Sequence, residues 1–270
     1  MIYVLFIVLM LIVTAVVVVI IAFNMRAKER SESLRVTTDS RDLYREGQTK
    51  LYSSQDEAFI AQLSAMWAEK YRLEHFVLDG FNDENGKNAH DTALRILSDG
   101  FGINDRAGFE NKLQFYTSNA GEMDSFVQFI ARQQSDDAKT DDDIVDAVMA
   151  QYQDSKKITQ FYNLKDNTNE ASRAYFALYH VSIAVLILRL SIYARFCSED
   201  EFLRRVTQIY EKYHSQSIDW PEFYKHWLLA HLFYNDCSYH DPYSVDLRNN
   251  LERVNKLTFI EEQSSESLDA

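Results

Sequence analysis

Residues 175–188 read YFALYHVSIAVLIL, a run that is apolar apart from Tyr179, His180 and Ser182. A helix that is hydrophobic on all sides must be surrounded either by protein or by lipid. Flanking arginines limit this run to roughly 15 residues, fewer than the roughly 17 to 25 that a membrane-spanning helix needs. We therefore expect a helix over 170–196 that is buried at the centre of a bundle, rather than a second membrane span.

The distribution of glycine and proline indicates helices around this central one. All seven glycines lie at or before Gly121, so the chain beyond it can hold no glycine-dependent hairpin turn. The two prolines, Pro221 and Pro242, closely follow Asp219 and Asp241. Proline in that position is typical of the first turn of a helix. Each proline therefore predicts a helix start.

Apolar spacing and capping signals locate the other helices. Ile60, Leu63 and Trp67 recur at helical intervals. Thr140, Ser198 and Asp219 are each followed three residues later by a carboxylate, a pattern that satisfies free amide hydrogens at a helix start. Together these signals predict helices at 55–79, 90–98, 105–119, 122–134, 141–154, 170–196, 199–214, 220–236 and 243–257.

The amino-terminal end of the chain has the pattern of a membrane anchor. Residues 1–23 are almost wholly apolar. A helix over this stretch would be roughly 35 Å long, enough to cross a hydrocarbon core of about 30 Å. A cleaved secretory signal would begin with basic residues and end at a small-x-small site, and neither pattern is present. We predict a retained transmembrane anchor over 1–24.

The charges that follow the anchor predict its orientation. Seven lysines and arginines lie in residues 26–50, and short segments rich in these residues stay on the cytoplasmic side. We expect a single-pass protein of a bacterial inner membrane, with its N-terminus outside and its C-terminal domain cytoplasmic. The anchor would contact membrane lipid. Cys197 and Cys237 suit a reducing compartment, although a single disulfide between them is also compatible with the sequence.

Composition divides the rest of the chain. We expect a polar juxtamembrane tether over 25–54, one α-helical domain over 55–257 and a disordered acidic tail over 258–270. The predicted fold class is therefore all-α, with an N-terminal single transmembrane helix followed by a globular multi-helix bundle. With 28 basic against 41 acidic residues and no basic patch, the chain is not expected to bind nucleic acid.

Two blocks of sequence resemble a bacterial family, domain of unknown function 1266. The segment Asp99–Arg106 is similar to the family signature of tryptophan, glycine and isoleucine followed by an acidic residue and arginine. A second block is similar to the family's long core helix and to the serine-glutamate turn and tryptophan-containing segment that follow it. The resemblance covers about residues 90–236, and its motif positions are Gly100, Phe101, Gly102, Ile103, Arg106, Tyr179, Ser198, Glu199, Trp220, Glu222 and Phe223. The family has no established activity, so the resemblance implies a fold and leaves the function open.

The sequence also departs from the family pattern. Where the resemblance leads us to expect Trp-Asp and, three residues after the Asp, an Arg, the chain has Tyr179, His180 and Ile183. The glycine before the serine-glutamate turn is replaced in the segment 195–197, and Ala230 stands where the last helix often has glycine. We therefore expect the polar centre of the family to be eroded in this protein.

Catalytic candidates are weak. No motif for a nucleophile elbow, a phosphate loop or a dinucleotide site is present. The first candidates are His180, Glu199, Glu222 and His226. His180 is either a pH-sensitive group or a neutral core histidine bonded to a neighbour, and Glu222 with His226 is as easily a solvated helix contact. No cofactor or metal is expected, because His226 and His231 are five residues apart and lie on different helix faces.

Two functional hypotheses remain. The first is a membrane-tethered helical module that binds another protein, as an immunity or regulatory factor would, with a basic toxin or basic enzyme as a natural partner. It follows from the acidic composition and the many aromatic residues. The second is a hydrolase-like enzyme whose site is assembled between helices from His180, Glu199, Glu222 and His226.

Overall fold

The computed structural model describes residues 55–71, 73, 89–118 and 121–266, and the regular elements of these residues are helices. The predicted anchor (1–24), the tether (25–54) and the last residues of the tail (267–270) lie outside the described residues. The helices are α1 Gln55–Leu63, α2 Ala65–Tyr71, α3 Ala89–Phe101, α4 Arg106–Ser118, α5 Gly121–Gln134, α6 Asp141–Tyr152, α7 Lys156–Leu164, α8 Glu170–Tyr193, α9 Glu199–Tyr213, α10 Trp220–Tyr234 and α11 Pro242–Glu266. The all-α expectation is confirmed for the described chain.

Helix α8 is the centre of the bundle. It packs against α1, α2, α3, α4, α5, α9 and α10. Its 24 residues are long and apolar enough to cross a membrane, and in the described chain it is the one helix that meets both criteria. Its most apolar window is nevertheless 83% buried inside the protein. Surrounding helices therefore account for its all-round apolarity, as predicted, although the helix is longer than the roughly 15-residue run that first argued against a membrane span.

Aromatic rings fill the space between α8 and its neighbours on α2 and α10. The rings of Trp67 and Trp227 meet edge to face at 4.7 Å, and Tyr179 lies 5.9 Å from Trp67 and 5.7 Å from Trp227. The indole N–H of Trp67 donates to Ser182 Oγ at 2.8 Å. This contact gives the indole nitrogen the partner that a buried Trp N–H usually needs. The core is thus aromatic with a few paired polar groups.

The three predicted helix caps are confirmed. The Thr140 hydroxyl accepts from the amide of Asp143, whose carboxylate accepts in return from the Thr140 amide at 2.8 Å. The Ser198 hydroxyl accepts from the amide of Glu201 at 3.3 Å, and an oxygen of Asp219 accepts from the amide of Glu222 at 3.0 Å. These are local interactions, which is why sequence spacing located them.

Three helix predictions need correction. The helix expected over 55–79 is divided at Ser64, whose hydroxyl donates back to the Ile60 carbonyl at 3.0 Å. Its second part is α2, Ala65–Tyr71, and residues 74–79 of the prediction lie outside the described residues. Serine that bonds back to the preceding turn commonly bends a helix. Helix α7 was not predicted because it has only nine residues; its start is marked by Asp154, which accepts from the Lys156 amide at 3.0 Å.

The third correction concerns the end of the chain. Helix α11 extends to Glu266, beyond the predicted helix end at residue 257. No glycine or proline follows Pro242, so the sequence contains no residue that would stop the helix at 257.

Several helices end in the left-handed conformation without glycine. Gln153, Arg195 and Asp236 have φ values of 52°, 59° and 52°. After Arg195, the amide of Phe196 donates to Ser191 O at 2.9 Å, and the Arg195 amide donates to Ile192 O at 3.1 Å. This is the hydrogen-bond pattern of a Schellman cap, whose left-handed residue is usually glycine. The absence of glycine after Gly121 therefore places ordinary side chains in a strained conformation.

Candidate functional site

His180, the most prominent sequence candidate, is buried and hydrogen-bonded. It lies on α8 with 4% of its surface exposed, and its Nε2 is 2.7 Å from the hydroxyl of Tyr234 on α10. The ring of Tyr116 lies edge-on at 6.1 Å, and burial raises the pKa of Tyr234 to about 12. Of the two interpretations of His180, the structure supports the core histidine bonded to a neighbour.

Gly121 makes room for this pair at the start of α5. A Cβ atom on Gly121 would lie 2.2 Å from Cε1 of His180 and 2.7 Å from the Tyr234 hydroxyl. The residue also has φ +75°, a conformation that glycine adopts at no steric cost. Backbone geometry and close packing therefore both require glycine here.

Glu222 and His226 are in contact, but the histidine is not solvated. The His226 side chain is buried between the rings of Tyr175 and Phe176, each 5.1 Å away. Its Nδ1 is 2.8 Å from the Glu222 carbonyl oxygen and 3.5 Å from a carboxylate oxygen of the same residue. Burial lowers the pKa of His226. The expectation of a solvated helix contact is wrong for the histidine.

Glu199 lies apart from this pair. It is the first residue of α9 and is exposed, next to the cap residue Ser198. Among the four predicted catalytic residues, the structure brings only Glu222 and His226 into contact, while His180 is bonded to Tyr234. In the described chain, no group of three or more His, Cys, Asp or Glu side chains is arranged to hold a metal ion.

A second polar cluster was missed by the sequence analysis. It consists of Lys70, Tyr179, His231, Asn235 and Tyr243, from α2, α8, α10 and α11, and we call it the Lys70 cluster. Nε2 of His231 lies 3.1 Å from Lys70 Nζ, 2.8 Å from the Tyr243 hydroxyl and 3.4 Å from Asn235 Nδ2. The other ring nitrogen, Nδ1, lies 3.1 Å from the Tyr179 hydroxyl. Four side chains thus surround one buried imidazole.

The protonation of this imidazole follows from its neighbours. An ammonium group and an amide N–H can only donate, so Nε2 of His231 must accept, and Nδ1 therefore carries the proton and donates to Tyr179. Burial, together with the positive charge of Lys70, lowers the pKa of His231 well below its ordinary value. Burial also raises the pKa of Tyr179 well above its ordinary value and lowers that of Lys70 to about 8.

The two polar groups are connected through aromatic stacking. The rings of Tyr179 and Tyr234 are 5.7 Å apart and nearly parallel, so the hydroxyl that bonds His231 and the one that bonds His180 belong to stacked rings. The expectation that the polar centre of the family is eroded in this chain stays a prediction. Tyr179 and His180 contribute to a polar network with partners from other helices.

Chemically, the Lys70 cluster combines an amine, a neutral imidazole and hydroxyl and amide donors. Such groups can transfer protons and can bind or attack an electron-poor ligand atom. One signal in the sequence could have pointed to Lys70, namely its position three residues after Trp67 in a predicted helix. Its Nζ lies 5.4 Å from the centre of that indole ring. The connection to His231 and Tyr243 joins distant parts of the chain and has no local signature.

The first family motif forms a helix end. Gly100 and Phe101 close α3, and Gly102 adopts φ +67°. Its amide donates to Ser98 O at 2.9 Å, and the amide of the fully buried Ile103 donates to Leu97 O at 2.9 Å. Gly102 therefore allows the left-handed turn between α3 and α4.

Arg106 joins this motif to the serine-glutamate turn. Its guanidinium donates to the Phe196 carbonyl at 2.9 Å, and to the two carboxylate oxygens of Glu201 at 2.9 and 2.8 Å. Arg205 also donates to Glu201, at 2.7 Å, and to Glu110 at 2.8 Å. Hydrogen bonds from Arg205 and Arg106 lower the pKa of Glu201. The motif arginine is therefore part of an ion-pair network that links α4 and α9.

The remaining motif residues are packing groups. Trp220 begins α10, and its ring meets those of Phe59 at 5.6 Å and Phe223 at 5.9 Å. Phe223 is fully buried.

Both cysteines are free thiols, and burial raises the pKa of Cys197. Cys197 is therefore a small buried side chain and has no activated thiolate.

Two surface cavities of the described chain lie away from the predicted catalytic residues. One, of about 480 Å³, lies between α4 and α9 and is lined by Glu110, Arg205 and Lys212 among others. The other, of about 460 Å³, is lined by Tyr162 and Tyr239 among others. Neither is lined by any of the four predicted catalytic residues.

Comparison with known proteins gave one match. A family model described as protein of unknown function (DUF1266) matches residues 96–264. The search of curated proteins and the search of solved structures found no match. The matched region includes both sequence blocks that carry the resemblance, all of α8 and most of the Lys70 cluster, whereas Lys70 itself precedes it. Because the match covers more than half of the chain, the protein belongs to the DUF1266 family.

Proposed function

We propose that this protein is a membrane-anchored α-helical module that binds another protein at the bacterial inner membrane. Residues 1–23 are apolar over a length sufficient to span the bilayer, and the basic residues after them favour a cytoplasmic location for the domain. The anchor would hold the domain beside the membrane. Its activity would lie in the surface that it presents there.

The observation that carries the proposal is a group of exposed tyrosines around the connection between α10 and α11. Tyr234, Tyr239 and Tyr243 are each 38% exposed, and Tyr162 on α7 is 49% exposed. Tyr162 and Tyr239 line the same cavity. We call these four residues the tyrosine surface. Tyrosine is enriched at the energetic centres of protein interfaces, because it combines a large apolar ring with a polar tip.

The net charge of the chain, −13, favours a basic partner. Close to the tyrosine surface the charges have both signs. Asp246 is exposed one helical turn after Tyr243, whereas Arg248 lies 4.7 Å from the centre of the Tyr239 ring and Lys165 lies 5.6 Å from that of Tyr162. Charge complementarity accelerates the association of oppositely charged proteins, so a basic toxin or a basic enzyme suits the acidic chain as a whole.

A hydrolase-like function built from His180, Glu199, Glu222 and His226 has less support. Catalysis needs its groups within hydrogen-bond reach of one another or of a shared ligand. The contact between Glu222 and His226 meets that need for two groups only, and the His226 side chain is buried, with the rings of Tyr175 and Phe176 each 5.1 Å away.

Affinity capture of the full-length protein from detergent-solubilised membranes tests the proposal. We expect a stoichiometric protein partner that is retained at low salt and released as salt is raised. The variant Tyr162→Ala/Tyr239→Ala should lose it. The matched control Phe115→Ala/Leu203→Ala removes two exposed apolar side chains from α4 and α9 and should retain it. Equal capture by both variants, or recovery of the protein alone, would refute binding through the tyrosine surface.

Topology is tested separately. A reporter fused after Ala270 should be active in the cytoplasm and inactive in the periplasm. Release of the protein from membranes by high salt alone would contradict the transmembrane anchor, because an inserted helix is not removed by charge screening.

A further inference from the structure

We propose that the cavity between α4 and α9 binds a small monocarboxylate with an apolar body, whose carboxylate is held by Lys212 and Gln208. We call this cavity the α4–α9 cleft. The inference concerns residues outside the Lys70 cluster and outside the predicted catalytic residues, and it is independent of binding through the tyrosine surface. It rests on how α4 and α9 are joined and on the groups that line the space between them.

Three contacts join α4 to α9 in a constant register. The partners are 95 residues apart in each contact, and the pairs are Arg106 with Glu201, Arg205 with Glu110, and Lys212 with Thr117. The two helices therefore run in the same direction, and both pack against α8. Seven residues of each helix, or about 10 Å, separate the second pair from the third. The cleft, of about 480 Å³, is lined by these two pairs and by residues between them.

The middle of the cleft has an apolar base. Leu113 of α4 and Ile209 of α9 line it there together with Leu188 of the central helix α8, and all three side chains are buried. Small-molecule sites are typically clefts of roughly 300 to 1,000 Å³ that combine apolar walls with a few polar groups. The cleft meets this description, and its base suits the apolar body of a ligand.

The two ends of the cleft differ in charge. At one end, Glu110 and Arg205 form an ion pair at 2.8 Å, and with Arg106 and Glu201 they make a network of two arginines and two glutamates. Their charges therefore compensate one another. At the other end lies Lys212, which takes part in none of the ion pairs of the described chain. The lining of the cleft thus has one uncompensated positive charge.

Two contacts position Lys212 at this end. Its Nζ donates to the Thr117 carbonyl at 3.3 Å and lies 5.0 Å from the centre of the Tyr213 ring. The carbonyl accepts one of the three N–H groups of the ammonium, so two remain for a ligand. The neighbouring acidic residue, Glu211, does not line the cleft.

Gln208 provides a second donor beside Lys212. It lies four residues before Lys212, on the same face of α9, and it lines the same cleft. In the part of the chain that the structure describes, its side-chain amide makes no hydrogen bond to another residue. A carboxylate can accept from the ammonium with one oxygen and from the amide with the other, and hydrogen bonds between charged groups are the stronger kind.

The charges also limit the class of ligand. One uncompensated cation matches a single negative charge, whereas the net charge of −13 on the chain repels ligands that carry several. The apolar base excludes ligands that are polar throughout, because they would lose water there without gaining hydrogen bonds. A monocarboxylate whose body is apolar satisfies both conditions.

Equilibrium dialysis tests the proposal on the full-length protein in lipid nanodiscs. Isotope-labelled hexanoate is the probe, and empty nanodiscs measure how much of it the lipid takes up. We expect saturable binding of one hexanoate per chain, displaced at least about tenfold less well by hexan-1-ol, which has the same body without the charge. Binding no greater than that to empty nanodiscs would overturn the proposal, and so would displacement by hexan-1-ol as effective as that by unlabelled hexanoate.

Two pairs of variants locate the binding. Lys212→Met removes the ammonium and should weaken hexanoate binding roughly tenfold, whereas the matched control Lys112→Met makes the same charge change on α4 outside the cleft and should not. Gln208→Trp fills the cleft from an exposed position and should abolish binding, while Gln151→Trp, at an exposed position of α6, should leave it unchanged. Each pair is compared at equal helical content, measured by circular dichroism. Equal binding by the two members of either pair would overturn the proposal.

Discussion

Nη2 of Arg106 lies 2.9 and 2.8 Å from the two carboxylate oxygens of Glu201, a residue on another helix. The contact joins the glycine-containing turn at the end of α3 to the serine-capped start of α9. Both segments carry the family resemblance, and neither reveals from its sequence that it contacts the other. In this protein, the two segments are therefore held together by an ion pair.

We expect removal of Glu201 to be more damaging than removal of Arg106. Glu201→Ala removes the less exposed of the two carboxylates that Arg106 and Arg205 share and leaves them only Glu110, so it should lower the free energy of unfolding by about 2 kcal/mol. Arg106→Ala should cost about 1 kcal/mol, because its side chain is 57% exposed and that of Glu201 only 12%. Denaturant titration of both single variants and of the double variant gives the coupling free energy between Arg106 and Glu201. A larger loss for Arg106→Ala than for Glu201→Ala would contradict this account.

Gly121→Ala should destabilise the domain strongly. The new Cβ would overlap with His180 and with the Tyr234 hydroxyl in a left-handed backbone conformation, and we expect a loss of about 3 kcal/mol. Gly102→Ala is the control: it has φ +67° and no atom within 4 Å of the added Cβ, so only the backbone penalty of about 1 kcal/mol applies. Thermal unfolding of both variants measures the two losses of stability. Equal losses for Gly121→Ala and Gly102→Ala would show that the contact between residue 121 and His180 is not tight.

Arg195→Gly should stabilise the protein. Arg195 is held at φ 59° at the end of α8, and glycine would relieve about 1 kcal/mol of strain, less a few tenths for its more flexible unfolded state. Arg195→Ala removes the same charge and retains the strain, so it should show no such gain. If Ala and Gly at this position raise the melting temperature equally, the effect comes from the charge and not from the backbone.

The stability of the protein should rise with pH because of Lys70. Its pKa is about 8 in the folded state and 10.5 in the unfolded state, so between these values the unfolded chain binds more protons. Raising the pH through this window should therefore favour folding by up to about 3 kcal/mol. Lys70→Met should lack this rise. We expect unfolding curves of the two proteins to converge between pH 8 and 10, and parallel pH profiles would count against a lowered pKa.

Acid should destabilise the protein through its buried histidines. The pKa of His226 is lowered by burial, so below its ordinary value of 6.5 the unfolded chain takes up a proton that the folded chain does not. The free energy of unfolding should fall by up to about 1.4 kcal/mol per pH unit for this residue. His226→Phe should lose less stability than the wild type between pH 6.5 and 5, whereas His240→Gln, at an exposed position, should follow the wild type.

Sequence reasoning located the features that depend on local spacing. The central position of α8 followed from a run of apolar residues, and the caps at Thr140, Ser198 and Asp219 followed from a carboxylate three residues away. It did not find the nine-residue α7 because a short helix carries too few apolar repeats to stand out. It also ended α11 too early, because acidic composition indicated disorder where no helix-breaking residue occurs.

The candidate site was only partly visible from sequence. His180 was recognised because a histidine is unusual in an apolar helix, yet its partner Tyr234 is 54 residues away. Lys70 and His231 are separated by 161 residues, and no periodicity relates them. Contacts of this kind arise from the packing of α2, α10 and α11 around α8, which a single sequence does not specify.

The left-handed helix ends at Gln153, Arg195 and Asp236 place three exposed polar side chains at corners of the domain where glycine would leave bare backbone. Substitution at such a corner changes the chemistry of the surface and leaves the path of the chain intact. Exchange of one residue at each of these positions can therefore alter the charge of the surface without moving the backbone, and a change to glycine would remove a polar side chain while relieving backbone strain.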